Sequence, residues 1–420
     1  KKVNIGIIGL GYVGLPLLIS FANKKFKMIG FDIDTSKIKL LNSGKSYIDR
    51  INNKFIKKIK NNSYFTNKFS YINECDVIII CVPTPLTKNS KPELSYIKNT
   101  FLQIKKYLKK NQVLILESTS YPGTTEEIFV KKLQSKFEIG NNFFIGFSSE
   151  RINPGQNENK LDQIPKVISG YTKNCLSIIS RIYSSVFKRL VNAKNLKTAE
   201  FSKLLENIYR SVNIGFINEM KIVADNMGLD IFEIIDIANT KPYGFRKFNP
   251  GPGVGGHCIP IDPEYLYWKS SKLGYKPKFI KLSSEVNKNV INFIYKKIFN
   301  YLKNVKNFKK SKILILGVTY KKNVDDTRES SSLKLFKILK EKNINNIYFS
   351  DPYINNFIST RTLKTKIKNV KVTEKNLKKF DLVVLMTDHD KFDYKMIYKY
   401  SKKIIDCRGR FKTSSKVIRG

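Results

Sequence analysis

A chain of 420 residues with 41% hydrophobic content exceeds one ordinary core and suits two or three domains. It offers no run of ~18 uninterrupted apolar residues for a membrane span, and the apolar run Ile5–Leu10 meets glycines too soon for a signal sequence, so a soluble, cytoplasmic protein without a membrane partner is expected. The formal net charge of +43 favours anionic ligands, but the lysines are spread as solvated helix faces (Lys57, Lys58, Lys60; Lys105, Lys106, Lys109, Lys110) with no RNA motif or zinc-finger spacing, which speaks against a nucleic-acid partner. In chain order, the apolar runs Val3–Ile8, Lys27–Phe31, Val77–Val82, Val113–Leu116, Phe143–Phe147 and Lys166–Ser169 read as buried strands alternating with helical patterns. That rhythm predicts a parallel sheet with helices on both faces.

The first strand runs directly into Gly9-Leu10-Gly11-Tyr12-Val13-Gly14, which opens a helical pattern, the context in which G-x-G-x-x-G signals a dinucleotide. Gly9 serves the tight turn, Gly11 the close approach of a pyrophosphate, and Gly14 the packing of helix on strand. Asp32 ends the second strand, placed to accept hydrogen bonds from the adenosine ribose, which favours NAD over NADP. The alternative is a glycine turn without a ligand. Gly44-Lys45-Ser46 imitates the tail of a phosphate loop, but the position of that motif's first glycine is Lys39.

From about Leu196 the rhythm changes. Ala199–Asn226 keeps apolar residues at helical spacing for longer than an ordinary globular helix, and a second helix is predicted over Leu282–Tyr301, with a Gly/Pro-rich loop, Pro250–Pro263, between them. After the lysine-rich linker Lys303–Lys310 strands return at Ile313–Leu316, Ile347–Ser350, Leu382–Met386 and Ile404–Asp406. This last region echoes the first: strand then glycine (Ile5–Gly9, Ile313–Gly317) and strand then acid (Asp32, Asp351). The expected fold is α/β, with two doubly wound Rossmann-like domains, 1–195 and 306–420, joined by a helical domain, 196–305, that carries the long helix and the loop.

The five cysteines (Cys75, Cys81, Cys175, Cys258, Cys407) are odd in number and free of C-x-x-C pairs, so reduced thiols are expected, without a disulfide framework or a zinc site. Cys258 differs from the rest. It follows four glycines in Gly251-Pro252-Gly253-Val254-Gly255-Gly256-His257-Cys258-Ile259-Pro260-Ile261-Asp262-Pro263, a backbone able to bend around a ligand and leave the sulfur uncovered, whereas Cys75 and Cys81 border or occupy an apolar strand. A thiol beside a nicotinamide can add to an aldehyde, giving a thiohemiacetal and then a thioester that water cleaves. Asp262 before Pro263 and Glu264 also reads as a helix N-cap with proline at the first helical position. Lys203 and Asn207, four apart, share one helix face and can jointly bind an alkoxide or a water; the plainer reading of Lys203 is a solvated helix lysine. With only His257 and His389 available, no histidine-centred base or metal site is expected.

The loop Gly251–Pro263 resembles the active-site loop of the UDP-glucose/UDP-mannosamine dehydrogenase family. Val82-Pro83-Thr84-Pro85, Glu117-Ser118-Thr119 with Pro122-Gly123-Thr124-Thr125, Ser149-Glu150-Arg151 with Pro154-Gly155, and Asp325-Asp326-Thr327-Arg328-Glu329-Ser330 resemble further family segments in the same order along the chain. The resemblance implies an NAD-binding domain, a long central helix that makes a homodimer, and a C-terminal domain that binds the UDP-sugar. It implies Cys258 as nucleophile, Lys203 and Asn207 on the helix, Asp262 working with Lys203 to position water, Glu150 for acid–base work or the hydrolytic water, and Thr119 in the site. Cofactor contacts are implied for Gly9, Gly11, Tyr12, Val13, Gly14, Asp32, Lys37, Thr84, Thr119 and Arg328, and substrate contacts for Glu150, Arg151, Lys203, Asn207, Arg246, Gly255 and Lys321. Arg328 has a plainer reading as the partner of Asp325 or Asp326. Arg246 and Lys241 are alternatives for a residue reaching the partner subunit's substrate.

Within the family, G-G-H-C-I-P-I-D-P, Thr240-Lys241-Pro242-Tyr243-Gly244-Phe245 and Ser46-Tyr47-Ile48 are most similar to the UDP-N-acetyl-D-glucosamine 6-dehydrogenase branch. The implied reaction is a four-electron oxidation of a C6 alcohol to a carboxylate by two hydride transfers to NAD. Enzymes for UDP-N-acetylmannosamine, UDP-N-acetylgalactosamine or UDP-glucose are the near alternatives. A two-electron β-hydroxyacid dehydrogenase, which needs no cysteine, and a non-catalytic nucleotide-binding protein are the more distant ones.

Overall fold

The computed structural model describes residues 3–48, 51–151, 163–303, 305, 308–354, 357–358 and 367–420. Pro154-Gly155 lies outside the described residues. The chain divides into two compact units, one formed by Lys1–Glu206 and Glu264–Tyr275, the other by Asn207–Pro263 and Lys276–Gly420.

The first unit is built on eight strands: β1 (Asn4–Ile8), β2 (Lys27–Phe31), β3 (Ser63–Thr66), β4 (Val77–Ile80), β5 (Val113–Leu116), β6 (Phe144–Ser149), β7 (Lys166–Gly170) and β8 (Leu190–Asn192). Their order is β3-β2-β1-β4-β5-β6-β7-β8. Val77–Ile80 and Val113–Leu116 are buried throughout, as strands covered on both faces must be. The β1/β4 neighbours are where the winding reverses, so the loops leaving these two strands border the crevice that open α/β sheets use for ligands.

Two sequence expectations change here. β3 and β8 are additional strands; they sit at the two edges and carry exposed residues, so they lack the apolar run that marks a central strand. The sheet is also not wholly parallel, because β7 runs antiparallel to β6, with Val167 opposite Ser149. A buried strand reads the same in either direction, so apolar runs cannot report this.

The second unit carries a parallel sheet in the order β10-β9-β13-β14-β15, from β9 (Ile313–Leu316), β10 (Ile347–Ser350), β13 (Leu382–Leu385), β14 (Ile404–Asp406) and β15 (Val417–Arg419); β11 (Phe357–Ile358) and β12 (Ile367–Lys368) form a separate antiparallel pair. Val290, Ile294 and Ile298 of the helix Lys278–Leu302 join its core with Ile315, Phe336 and Val384. The long helix, Leu196–Asn226, extends three residues further toward the N-terminus than its apolar spacing indicates, and the unit boundary falls within it. No helix among the described residues is long and apolar enough to cross a membrane.

Glu200, near the start of the long helix, is buried. Its carboxylate accepts from the Gly123 N–H (2.5 Å), the Thr125 N–H (2.9 Å) and the Thr125 hydroxyl (2.7 Å), capping the helical segment 124–133 from a distant element. Burial nevertheless pushes the carboxyl up to about 7, the donors opposing. An unfolded glutamate titrates near 4.5, so the stability this group contributes is complete below that pH and is lost as pH rises to 7, an effect of about 3 kcal/mol at most. Glu200→Gln should therefore flatten the fall of melting temperature between pH 5 and 7; an unchanged slope in the variant would assign that pH dependence elsewhere.

Candidate active site

In the first unit the glycine turn behaves as its three positions require. Gly9 adopts φ +90°, and a Cβ there would stand 2.7 Å from the Cys81 carbonyl oxygen, while a Cβ on Gly14 would stand 2.0 Å from the Gly9 oxygen. A Cβ on Gly11 would meet nothing within 4 Å. Protein atoms thus exclude side chains at Gly9 and Gly14, whereas at Gly11 the space is open, as a pyrophosphate against the backbone needs. Tyr12 and Val13 line the same turn, and the following helix, Gly14–Asn23, has no side-chain cap at its N-terminus, which leaves N–H groups for an anion.

Asp32 is buried at the end of β2. One carboxylate oxygen accepts the Leu10 N–H (3.0 Å), the other the Asp34 N–H (2.9 Å), and Lys37 Nζ lies at 3.5 Å. The carboxylate therefore holds the glycine turn. Tyr47 donates its hydroxyl to the Leu10 carbonyl, and burial together with the Asp32 charge raises that phenol well above its ordinary range, which keeps it a donor. Thr84 is buried on the loop after β4. These residues fit NAD.

At the same carboxyl edge, Thr119 is half-buried after β5 and Glu150 follows β6, its carboxylate 3.5 Å from Lys166 Nζ. Arg151 donates to the Pro165 carbonyl (3.1 Å) and to Glu206. Lys203 is buried, which excludes the solvated-lysine reading; Lys197 on the same helix, at 60% exposure, shows what that reading requires.

In the second unit the helix Cys258–Lys272 begins at Cys258 itself. Cys258 is partly exposed while Cys75, Cys81, Cys175 and Cys407 are buried. The N-cap reading of Asp262 is overturned: the residue lies inside this helix, with Pro263 also within it, and the carboxylate finds a lateral partner instead. Asn207 donates to Asp262 at 2.5 Å, both side chains buried, and Arg210 in turn donates to the Asn207 oxygen. Arg210 was absent from the sequence reading, although it lies three residues beyond Asn207 on one helix face.

In the second unit the glycine-rich loop also meets the segment that carries Arg328, whose carbonyl accepts the Gly256 N–H at 2.9 Å. A Cβ on Gly255 would stand 2.7 Å from Tyr320 Cβ and 2.9 Å from the Glu329 carbonyl oxygen. Burial, with Arg210 adding repulsion, lowers Lys321, so two cations border one region. Arg328 pairs with Asp326 through contacts of 2.6–3.0 Å, the plainer of its two readings. Arg246 and Lys241 are exposed, and no hydrogen bond or ion pair among the described residues links Arg246 to Asn207 or Asp262. Burial and the Arg328 charge push His257 down to about 4, so its imidazole is neutral at pH 7.

Three family models match the chain: the NAD binding domain of the UDP-glucose/GDP-mannose dehydrogenase family over residues 3–187, its central domain over 197–289 and its UDP binding domain over 314–413. The chain belongs to this family. It is an NAD-dependent oxidoreductase of the UDP-sugar dehydrogenase class. Among relatives, Protein CapL of Staphylococcus aureus is 36% identical over 97% of this chain and 96% of its own length. UDP-N-acetyl-D-glucosamine 6-dehydrogenase of Pseudomonas aeruginosa is 35% identical over 84% of each chain. The solved structure of UDP-D-ManNAc dehydrogenase from Pyrococcus horikoshii superposes with a TM-score of 0.87 at 31% identity, covering 98% of this chain and 97% of that one.

Gly11→Ala should fold with a wild-type melting temperature yet lose at least tenfold in NAD affinity by fluorescence titration, whereas Gly14→Ala should lose stability by thermal melting, since only the latter meets protein atoms. Equal melting losses in both variants would mean that the space at Gly11 serves the fold.

Proposed function

We propose that this dehydrogenase oxidises the C6 hydroxyl of a UDP-N-acetylhexosamine, UDP-N-acetylglucosamine in the first place, to the uronic acid through a covalent cysteine intermediate. One observation carries the reading: Cys258 and Asp262 lie one turn apart on one helix face, and Asp262 is held by Asn207. A nucleophile and a buried polar pair are thereby assembled in one place. NAD, when bound, accepts the hydride of each of two oxidations.

Lys203 and Asn207 stabilise the alkoxide that forms as the C6 hydroxyl loses its proton. Cys258 adds to the aldehyde, forming a C–S bond; loss of the remaining hydride leaves a thioester, and water cleaves it to the carboxylate and free thiol. Asp262 and Lys203 position that water, with Glu150 as its base and Thr119 beside it. Arg151, Gly255, Lys321 and Arg246 contact the substrate, and Tyr12, Val13, Lys37, Thr84 and Arg328 the cofactor.

The loop G-G-H-C-I-P-I-D-P and the Pseudomonas aeruginosa relative support the glucosamine epimer. The Pyrococcus horikoshii structure favours a second reading, the mannosamine epimer. Phe201, Leu205, Tyr209, Phe216 and Val223 are exposed along the long helix at spacings of four and seven, a stripe that supports a homodimer through this helix. Reduced thiols and the cofactor suit the cytoplasm.

Measured with UDP-N-acetylglucosamine, UDP-N-acetylmannosamine, UDP-N-acetylgalactosamine and UDP-glucose in parallel, two NADH should form per sugar consumed, fastest with the first. One NADH per sugar would remove the thioester from the mechanism. Cys258→Ser should lower acid formation at least ~10³-fold with NAD binding retained. Phe216→Asp should shift the mass seen by light scattering from dimer to monomer; a dimer retained in that variant would place the interface elsewhere.

A further inference from the structure

The reversal of β7 puts its first residue, Lys166, at the carboxyl edge of the sheet, next to the ends of β5 and β6. There Lys166 is 2% exposed and meets two acids: its Nζ is 2.7 Å from Glu117 Oε2 and 3.5 Å from Glu150 Oε2. Tyr183, on the helix Lys173–Ser184, donates its hydroxyl to the other Glu117 oxygen at 2.5 Å. The rings of Tyr183 and Phe187 lie 5.6 and 5.3 Å from the same ammonium. Burial works against the Lys166 charge, but the two carboxylates outweigh it and the group is raised, so it remains an ammonium. Cys81, after β4, faces the same groups, and its thiol is raised by burial and so stays uncharged. Arg151, though adjacent to Glu150, is committed to Pro165 and Glu206.

One cation thus serves two carboxylates, and the two are not equivalent. Glu117 is enclosed, whereas the Glu150 side chain keeps 13% exposure. Two acids this close in a dry site cannot both ionise without a counter-charge, and a buried charge without its partner is strongly destabilising. We propose that Lys166, anchored by Glu117 and Tyr183, is a positioning residue that fixes the Glu150 carboxylate at the carboxyl edge of the sheet, supplies its counter-charge, and so sets the acid limit of turnover. This rests on the role given to Glu150 above.

The test is the kcat–pH profile of the full-length enzyme with UDP-N-acetylglucosamine. Glu117→Gln leaves the whole ammonium to Glu150 and should move the acid limb down by about half a pH unit or more. The charge-compensated double variant Lys166→Met/Glu117→Gln, chosen because Lys166→Met alone strands a buried carboxylate, should move it up by about one unit. Lys166→Arg should restore the wild-type limb. A merely structural role would not produce shifts of opposite sign, so limbs that stay in place or move together in the folded variants overturn the proposal. Glu150→Gln separates the two levels. If it keeps the wild-type rate and limb, the role of Glu150 and this proposal fall together; if it abolishes the limb while the Lys166 and Glu117 variants leave it in place, only the Lys166 proposal falls.

Discussion

A carboxylate at the end of one strand that takes the backbone N–H groups of the turn leaving its neighbour organises both sheets. In the first unit Asp32 accepts from Leu10 and Asp34; in the second Asp351 accepts from Val318 at 2.7 Å, Thr319 at 3.3 Å and Tyr353 at 2.9 Å. Each turn opens with a glycine at positive φ whose N–H bonds the last residue of the adjacent strand at 2.8 Å, Gly9 to Phe31 and Gly317 to Ser350. The echo seen in the sequence is therefore a repeated hydrogen-bond pattern. Buried N–H groups must find partners, and an aspartate at the strand end satisfies two at once.

The two copies differ in what completes the carboxylate. Asp32 keeps Lys37 at 3.5 Å, whereas Asp351 lies 3.0 Å from Nε2 of the fully buried His389. The Asn323 N–H donates to the other ring nitrogen at 3.0 Å, so that nitrogen is the acceptor and Nε2 carries the proton. His389 is thereby a structural donor inside the UDP binding domain.

The long helix carries a row of buried polar residues. Glu200, Lys203, Asn207 and Lys221 are spaced along one face of the long helix, and all are buried. Lys221 donates to the carbonyls of Gly251 and Gly420, and Asn218 accepts the Gly251 N–H, so the long helix fixes the start of the glycine-rich loop. Burial of ionisable groups is costly, and here it provides rigid attachment of loops to a helix.

Much of the fold was legible in the sequence because its causes are local. Continuous apolar runs reveal central strands, glycine spacing reveals the dinucleotide turn, and the four glycines before Cys258 set it apart from the four buried cysteines. The edge strands Ser63–Thr66 and Leu190–Asn192 were hidden since their residues face solvent. The direction of β7, the helical placement of Asp262 and the burial of Lys203 were decided only by the tertiary structure. Direction, burial and hydrogen-bond partners depend on what lies across the fold: Lys166 meets Glu117 over 49 residues of chain and Asn207 meets Asp262 over 55. Residue types and local spacing specify which groups can do the chemistry, and long-range packing selects which of them meet.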